Sequence, residues 1–268
     1  MTILTGKEFN EKYVGQKFVK LTNKEEKHNG YEFKSGLNVD TVPFDPQGSC
    51  RAGGIYFCEL GKLSKWLEYG YQRMYYARVV SIPDDAQVYE EEDKWKADKL
   101  VLGERRTIAE LEIWKDREYC MAAVKLNGNI LEYVQTPEVC LEAVKRNGIA
   151  LGFVKNQTEA LCLAAVKRES FALEYVKNQT EEICMEAVRQ NGISLHYVKN
   201  QTEEICMEAV RQNGYALQSV RNQTGEICME AVRQNGWALE YVRDQTKKIC
   251  MEAISHNGNA LKYVKIKL

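Results

Sequence analysis

Histidine is scarce in this chain, and closely spaced cysteine pairs do not occur in it. The three histidines, His28, His196 and His256, are scattered over 268 residues. Zinc sites favour close ligand pairs such as C-x-x-C, and none is present. No serine or cysteine stands in the setting of a nucleophile elbow. We therefore predict no metal site, no cofactor and no catalytic residue.

Long apolar runs and an excess of basic residues are also missing. No stretch of about 18 apolar residues occurs, so no membrane span is predicted. The first residues, MTILTGKEFNEKYVG, have neither the basic nor the apolar region of a secretion signal. Lys and Arg number 37 against 38 Asp and Glu. A chain that neutralises many phosphates usually shows a basic excess, so nucleic acid is a disfavoured partner.

Seven of the nine cysteines recur at a spacing of 20 residues and then of 22 residues, at Cys120, Cys140, Cys162, Cys184, Cys206, Cys228 and Cys250. Equivalent helices of a stacked array lie about 8–10 Å apart, whereas a disulfide needs Cα atoms within about 7 Å. We expect free thiols buried as small apolar groups, in a reducing compartment such as the cytoplasm. Metal binding or redox sensing is the alternative. Cys50 and Cys58 flank Gly53-Gly54 and could approach each other.

The region from about Asp116 to the end repeats one unit, as in TEEICMEAVRQNGISLHYVKNQ from Thr180. A good N-cap residue stands four places before each repeat cysteine, and Asn-Gly follows where a left-handed C-terminal cap is expected. Glu169-Ser170 replaces Asn-Gly in the third copy, which predicts a less regular turn there. The Asn-Gln-Thr sequons, for example at Asn200, would matter only in a secreted chain.

Each unit is predicted to form two short helices. In the first helix, Ile205, Cys206, Ala209 and Val210 share an apolar arc, opposite Glu204, Glu208 and Arg211. A second helix of two turns is not stable alone, so stacking must supply the burial. Residues 115–268 are therefore predicted to be an α-solenoid of about seven 22-residue two-helix repeats.

Residues 1–114 contain no repeat and predict an α+β domain. Strands are predicted over residues 17–22, 31–34, 54–58, 74–82, 86–89 and 98–102, with Asn29-Gly30 as a turn. Residues 62–69 are predicted to form an amphipathic helix.

Variation between near-identical repeats is the strongest indication of function. The residue after each glycine position and the residue four places later share a helix face and are mostly apolar or aromatic. Tyrosine and tryptophan are enriched at protein-binding hot spots. Ser219 is expected to leave Tyr215 without its usual aromatic neighbour. The predicted partner-binding residues are Tyr215, Trp237, Tyr241, His196 and Ile193. The alternative is that these rings fill gaps between repeats.

The pattern C-x-x-A-V-x-x-N-G-x-A-L-x-x-V resembles a short helical repeat of unknown function found in giant amoebal viruses and some intracellular bacteria. Stretches such as EKHNGYEF, SGLNVDTVPFDPQGSC and KADKLVLGERRTI resemble an N-terminal module of mimivirus-like proteins, which precedes repeat arrays that include ankyrin repeats. The resemblance implies no catalytic residue. It favours a non-enzymatic protein-binding scaffold or adaptor of viral origin, in the host cytoplasm or in the virion.

Two alternatives stay open. GGIYFCELGKLSKWLEYG resembles the nicotinamide-binding core of ADP-ribosyltransferases, in which case the repeats would select the substrate. Those enzymes carry an upstream His or Arg and a late glutamate, for which His28 and Glu104 are the candidates. A structural component of the virion is the other alternative. The sequence does not name the partner or the oligomeric state.

Overall fold

The computed structural model describes residues 3–28, 30–46, 52–69 and 72–267, with the side chain of Tyr69 excepted. Two compact units are formed, Met1–Val134 and Gln135–Leu268. The first unit holds the N-terminal sheet and the first repeat, and the second holds the remaining repeats. A domain boundary at residue 114 stays a prediction. Asn29 and Cys50, for which a turn and an approach to Cys58 were predicted, lie outside the described residues.

An antiparallel sheet of nine strands organises the first unit. The strands of this unit are β1 (Ile3–Thr5), β2 (Phe18–Thr22), β3 (Lys27–His28), β4 (Tyr31–Glu32), β5 (Gly36–Val39), β6 (Ile55–Glu59), β7 (Glu68–Tyr69), β8 (Gln72–Arg73), β9 (Tyr76–Ser81), β10 (Gln87–Glu90), β11 (Trp95–Ala97), β12 (Lys99–Leu102) and β13 (Arg106–Thr107). The order in the sheet is β1-β10-β11-β6-β2-β9-β12-β5, with β13 paired to β9, while β3–β4 and β7–β8 form two small ladders.

The strands predicted from alternation are found within about two residues of their expected bounds, and this part of the prediction is confirmed. The helix predicted over residues 62–69 is wrong. The chain forms a 3₁₀ helix at Leu60–Lys65 and then enters β7. Gly61 and Ser64 are weak helix formers, and the segment is anchored by the buried side chains of Leu63 and Leu67.

An aromatic core lies beneath helix α1 (Gly6–Lys12). The sequence analysis did not predict this helix. The helix begins at a capping box, in which the Glu8 N–H donates to Thr5 Oγ1 at 3.2 Å and the Thr5 N–H donates to the Glu8 carboxylate at 2.7 Å. The Phe9 ring centroid then lies 5.0 Å from that of Phe18 and 5.8 Å from that of Phe57. Such ring pairs contribute about 0.5–1.5 kcal/mol each beyond area burial, so α1 is held to the sheet by its one large apolar side chain.

The Gly53-Gly54 pair before β6 makes room for a buried lysine. Both glycines have positive φ, +89° and +141°. A Cβ on Gly54 would lie 2.7 Å from the stem of Lys96, which is fully buried. The Lys96 ammonium donates to the carbonyl oxygen of Asp45 at 2.6 Å. The glycines are thus required by the local backbone and by this side chain.

Seven α-helices of ten residues make up the repeats: α2 (Arg117–Leu126), α3 (Pro137–Arg146), α4 (Glu159–Arg168), α5 (Glu181–Gln190), α6 (Glu203–Gln212), α7 (Gly225–Gln234) and α8 (Lys247–His256). Each follows a cap residue whose side chain accepts a first-turn N–H, as Thr202 Oγ1 accepts from Ile205 at 3.3 Å. The predicted apolar arc of α6 is buried, and Glu204 and Arg211 are exposed. From Pro137 onward, helix pairs about 22 residues apart stack on one another, which confirms the solenoid.

The second helix of each repeat is a 3₁₀ helix rather than a short α-helix: Gly128–Glu132, Gly148–Phe153, Ser170–Tyr175, Gly192–Tyr197, Gly214–Ser219, Gly236–Tyr241 and Gly258–Tyr263. In six of the seven repeats an extended asparagine precedes it, and the asparagine side chain accepts the N–H two residues later, as Asn213 does from Tyr215 at 3.0 Å. This Asx turn lets the 3₁₀ helix begin directly after the α-helix ends. Glu169 takes this place in the third repeat and makes no such bond.

The predicted left-handed cap at the repeat glycines is wrong, because none of these glycines is among the described residues of positive φ. At Gly148, Gly192, Gly214 and Gly236 the absent side chain instead leaves room for the following α-helix, whereas Ser170 occupies this place in the third copy. A Cβ on Gly192 would lie 2.2 Å from the carbonyl oxygen of Ala209 in the next helix. The less regular turn predicted at Glu169-Ser170 is also wrong. Glu169 has φ −156° and ψ 111°, close to the −153° and 109° of Asn191.

The N-terminal sheet region covers one side of the first repeat, within the first unit. The Ser64 N–H donates to the Tyr119 hydroxyl at 3.2 Å, and the Asn127 amide donates to the Ser64 carbonyl at 3.2 Å. Trp114 and Tyr133 stack with their centroids 5.1 Å apart. The first repeat therefore packs against a surface of the first unit that is not another repeat.

Candidate protein-interaction surface

A glutamine at the end of each unit joins neighbouring repeats. Gln201 Nε2 donates to the carbonyl oxygens of Leu195 in its own repeat (3.4 Å) and of Ser219 in the next (2.9 Å). Its Oε1 accepts the Arg221 N–H at 2.9 Å and faces the Cys206 thiol at 3.7 Å. The same bridge is made by Gln157, Gln179, Gln223 and Gln245. The sequence reasoning missed this role, although the fixed place of the glutamine before each threonine cap was visible.

Charged side chains reinforce the same interfaces. The Arg221 guanidinium donates to the carbonyls of Lys199 (2.5 Å) and Val198 (3.0 Å) in the preceding repeat. On the outer face of the α-helices, Arg211 and Glu230 pair across adjacent repeats at 3.3 Å. Exposed pairs of this kind contribute about 0–1 kcal/mol each. The charges of these positions are therefore largely engaged within the stack.

The repeat thiols are buried, as predicted, with relative exposures of 0–4%. Burial raises the pKa of Cys184, Cys206 and Cys228 above the ordinary thiol value. Thiols in this state are poor nucleophiles at neutral pH. The cysteines belong to the repeat core.

The 3₁₀ helices of the second unit carry an apolar row on their outer side. We call it the ring row: Ile149, Phe153, Phe171, Tyr175, Ile193, Tyr197, Tyr215, Ser219, Trp237, Tyr241, Asn259 and Tyr263. Five of its members are 37–39% exposed, namely Ile149, Phe153, Phe171, Tyr175 and Tyr215. These side chains recur with the 22-residue repeat and give the row a partly exposed apolar surface, interrupted at Ser219 and Asn259.

Rings of the row contact each other across repeats. The residue after the glycine position meets the tyrosine of the following repeat, edge to face, with 6.1 Å between the centroids of Tyr215 and Tyr241 and 5.8 Å between those of Trp237 and Tyr263. The expectation that Tyr215 lacks an aromatic neighbour is therefore wrong, because its neighbour is supplied by the next repeat. These contacts agree with the alternative that the rings fill gaps between repeats, while Tyr215 keeps 38% of its surface exposed.

The five predicted partner-binding residues all lie on these 3₁₀ helices. Tyr215 is exposed and contacts Tyr241, while Tyr241, Trp237 and Ile193 are half-buried. The Lys262 ammonium lies 4.5 Å from the Trp237 ring centroid, a cation–π contact. His196 is exposed and touches Tyr197, with 5.1 Å between centroids. Partner binding by these residues stays a prediction.

The two residues singled out for transferase chemistry lie in different surroundings. His28 lines a cleft of the N-terminal sheet, where burial and the Lys20 charge lower its pKa. Glu104 is exposed, beyond the end of β12, and is not among the residues that line this cleft. The cleft lining that the structure describes contains no carboxylate.

Over the described residues, no helix is both long and apolar enough to span a membrane. No solved structure matches the chain. Three proteins of Acanthamoeba polyphaga mimivirus are similar to it. One named as an ankyrin repeat protein is 33% identical over 105 residues, 37% of this chain and 50% of the relative. Another with an ankyrin repeat name is 33% identical over 103 residues, 35% of this chain and 32% of the relative. An uncharacterised protein is 30% identical over 114 residues, 42% of this chain and 83% of the relative.

The chain thus spans about half the length of one ankyrin repeat relative and about a third of the other. A family model described as Domain of unknown function (DUF4116) matches residues 116–159, 158–201, 180–224, 202–247 and 224–268. These matches fall on the helix pairs described above and cover more than half of the chain. The protein is a giant-virus repeat protein with an N-terminal module, and it belongs to the DUF4116 family.

Proposed function

We propose that the chain is a non-enzymatic protein-binding scaffold whose ring row contacts apolar side chains of a partner. The observation that supports the proposal is that the residues building the stack are constant between repeats, while the residues of the ring row vary. Gln201, Cys206 and Ala209, which build the stack, recur nearly unchanged, whereas the row position after the glycine varies from Ile193 to Tyr215 to Trp237. Constant interfaces with variable exposed rings are typical of repeat proteins that select partners.

The chemistry of the row favours a protein ligand with apolar side chains. Rings that are already held by edge contacts lose little side-chain entropy on binding, which favours affinity. Acidic and basic residues both border the row, for example Glu240 and Lys262. The row therefore does not favour a partner surface of one charge. Names of the relatives that refer to ankyrin repeats agree with a role in protein interaction.

We further propose that the scaffold acts in the host cytoplasm or in the virion. The support is the set of buried, unbridged repeat thiols, which suits a reducing compartment. The N-terminal module would then add a second contact. That module includes the cleft described above.

The test places a photo-crosslinking amino acid at position 215 or, as a control, at Glu226, an exposed position on α7 away from the row. Host lysate is irradiated with each protein, and adducts are identified by mass spectrometry. We expect a defined adduct from position 215 that is absent from position 226. Tyr215→Ala with Trp237→Ala should reduce recovery of that partner at least tenfold, with helix content unchanged by circular dichroism.

The matched control is Gln218→Ala with Glu240→Ala, two exposed polar residues on the same two 3₁₀ helices. It should leave recovery unchanged. Equal recovery of the partner by the folded aromatic double variant would show that the ring row is not the binding surface.

A further inference from the structure

The last repeat of the second unit, formed by α8 and the 3₁₀ helix Gly258–Tyr263, leaves an apolar surface uncovered. Leu261 is 58% exposed, whereas its equivalents Leu217 and Leu239 are fully buried. We call this surface the open face: Met251, Ile254, Leu261 and Val264. Repeats that close an array have a polar outer side, which keeps the array soluble. The open face instead has the composition of an interface between repeats.

The open face also has the shape that receives a helix. A Cβ on Gly236 would lie 2.6 Å from the Ala253 carbonyl oxygen, so the backbone of α8 packs closely against the preceding repeat at this point. Gly258 is the equivalent glycine of the last repeat, and no described atom lies within 4 Å of a Cβ built on it. The last repeat therefore keeps the notch that accepts a helix backbone. A lipid surface would not match such a notch.

Lysines border the open face where an earlier repeat has acids. Helix α8 begins with Lys247 and Lys248, whereas α6 begins with Glu203 and Glu204. Lys247 lies one turn before Met251, on the same side of the helix. Lysines at the start of a helix are unfavourable, because the helix dipole is positive there. Among the described residues neither ammonium has an ion-pair partner, so folding of the repeat does not account for them.

The position of Lys247 faces the next helix of a stack. Its equivalent, Glu203, accepts a hydrogen bond from the hydroxyl of Thr224, the N-cap of α7, at 3.4 Å. A helix stacked on the open face would therefore place its first turn beside Lys247. Acidic residues in that turn would pair with the lysine and would also suit the dipole of the added helix. A second copy of the chain is disfavoured, because a symmetric contact of two open faces would bring their lysines together.

We infer that the open face docks an α-helix of another protein, with an apolar stripe along one side and acidic residues in its first turn. The stripe would cover Leu261 and Met251, and the acidic turn would meet Lys247 and Lys248. The contact would continue the interface that joins each repeat of the second unit to the next. The open face shares no residue with the ring row, so the two surfaces can fail independently.

The test mixes the full chain with a fluorescently labelled peptide of residues 202–245, which carries Glu203 and Glu204 in its first turn. Fluorescence anisotropy measures binding under reducing conditions. We expect a Kd on the order of 100 µM or below at about 50 mM salt. At about 500 mM salt the Kd should rise about fivefold, because exposed charges are then screened. Leu261→Asp, at an exposed position, should weaken binding at least tenfold.

A charge exchange tests whether the acids of the peptide meet the lysines of the chain. Lys247→Glu with Lys248→Glu should weaken binding of the acidic peptide about tenfold, without loss of folding, because acids suit the start of a helix. A second peptide, with Glu203→Lys and Glu204→Lys, should bind this variant about tenfold better than it binds the unaltered chain.

The matched control is Lys145→Glu with Lys167→Glu, two exposed lysines of α3 and α4, which should leave binding of both peptides unchanged. Absence of binding by the acidic peptide at about 1 mM would overturn the inference, and so would its equal binding to the Leu261→Asp variant. Dimers of the full chain in analytical ultracentrifugation that Leu261→Asp abolishes would assign the open face to a second copy. Binding to phosphatidylserine vesicles that Leu261→Asp abolishes would assign it to a membrane. Either result would refute docking of a helix.

Discussion

Replacement of Ser194 by alanine should increase the thermodynamic stability of the repeat array, because the serine lowers it. The residue is fully buried in its 3₁₀ helix, and its hydroxyl has no hydrogen-bond partner among the described residues. The equivalent residues Ala172, Ala216 and Ala238 are also fully buried. Ser194 is thus a polar group in a site that neighbouring repeats fill with a methyl group.

The magnitude follows from the desolvation of the hydroxyl. A buried polar group without a partner costs about 1–3 kcal/mol, and the array offers no compensating bond here. Ser194→Ala should therefore raise the free energy of unfolding by about 1–2 kcal/mol. For a chain of this size, each kcal/mol corresponds to roughly 2–4 °C in Tm.

Urea and thermal unfolding measured by circular dichroism provide the assay. Hydrogen exchange of amides near residue 194 shows whether the gain is local, because a repeat array can unfold in parts. The matched control is Ala216→Ser, which places the same hydroxyl in the next repeat and should destabilise the protein by a similar amount. A stability of Ser194→Ala equal to or below that of the parent would refute the reasoning and imply that the hydroxyl has a partner.

Two further predictions concern the repeat interior. Gly192→Ala should lower the free energy of unfolding by about 1–3 kcal/mol, because its Cβ would lie 2.2 Å from a backbone oxygen. Gly258→Ala, with no described atom within 4 Å, should change it by less than about 1 kcal/mol. The urea midpoints of the two variants test this, and equal losses of stability would contradict the steric explanation. Because burial raises the pKa of the repeat thiols, and that of Cys58 to about 12, the folded state keeps them protonated while the unfolded chain ionises near pH 8.5. The free energy of unfolding should thus fall as the pH rises from about 8 towards 10. The thiols of the native protein should also react slowly with a disulfide reagent, and rapid stoichiometric labelling at pH 8 would show that they are accessible.

The sequence predicted the features that depend on neighbours within one repeat. The threonine caps and the buried arc around Cys206 follow from residues three or four places apart, and both were confirmed. It did not reveal the close approach at Gly192, because the atom that crowds this glycine belongs to Ala209 in the next helix. The pairing of Tyr215 with Tyr241 was missed for the same reason.

In the N-terminal module, too, the sequence predicted local elements but not the contacts between residues far apart in the chain. Its strands were predicted from alternation, but the cleft depends on where β2 leaves β6, which local pattern does not encode. Lys20 and Lys94 are far apart in sequence, and each looks like an ordinary surface lysine until the fold buries it. Helix α1 is only seven residues long, and its Thr5–Glu8 capping box was the signal that could have found it.

The glutamine bridge has a consequence for how such proteins change over time. Because Gln201 satisfies the backbone of the following copy through groups that every copy presents, any unit can follow any other without redesign of the junction. In-frame duplication or loss of the DNA encoding one unit should lengthen or shorten the protein while preserving its fold. The viral gene can therefore vary the ring row by reshuffling segments, and single substitutions at positions such as 215 and 237 change individual rings of that row.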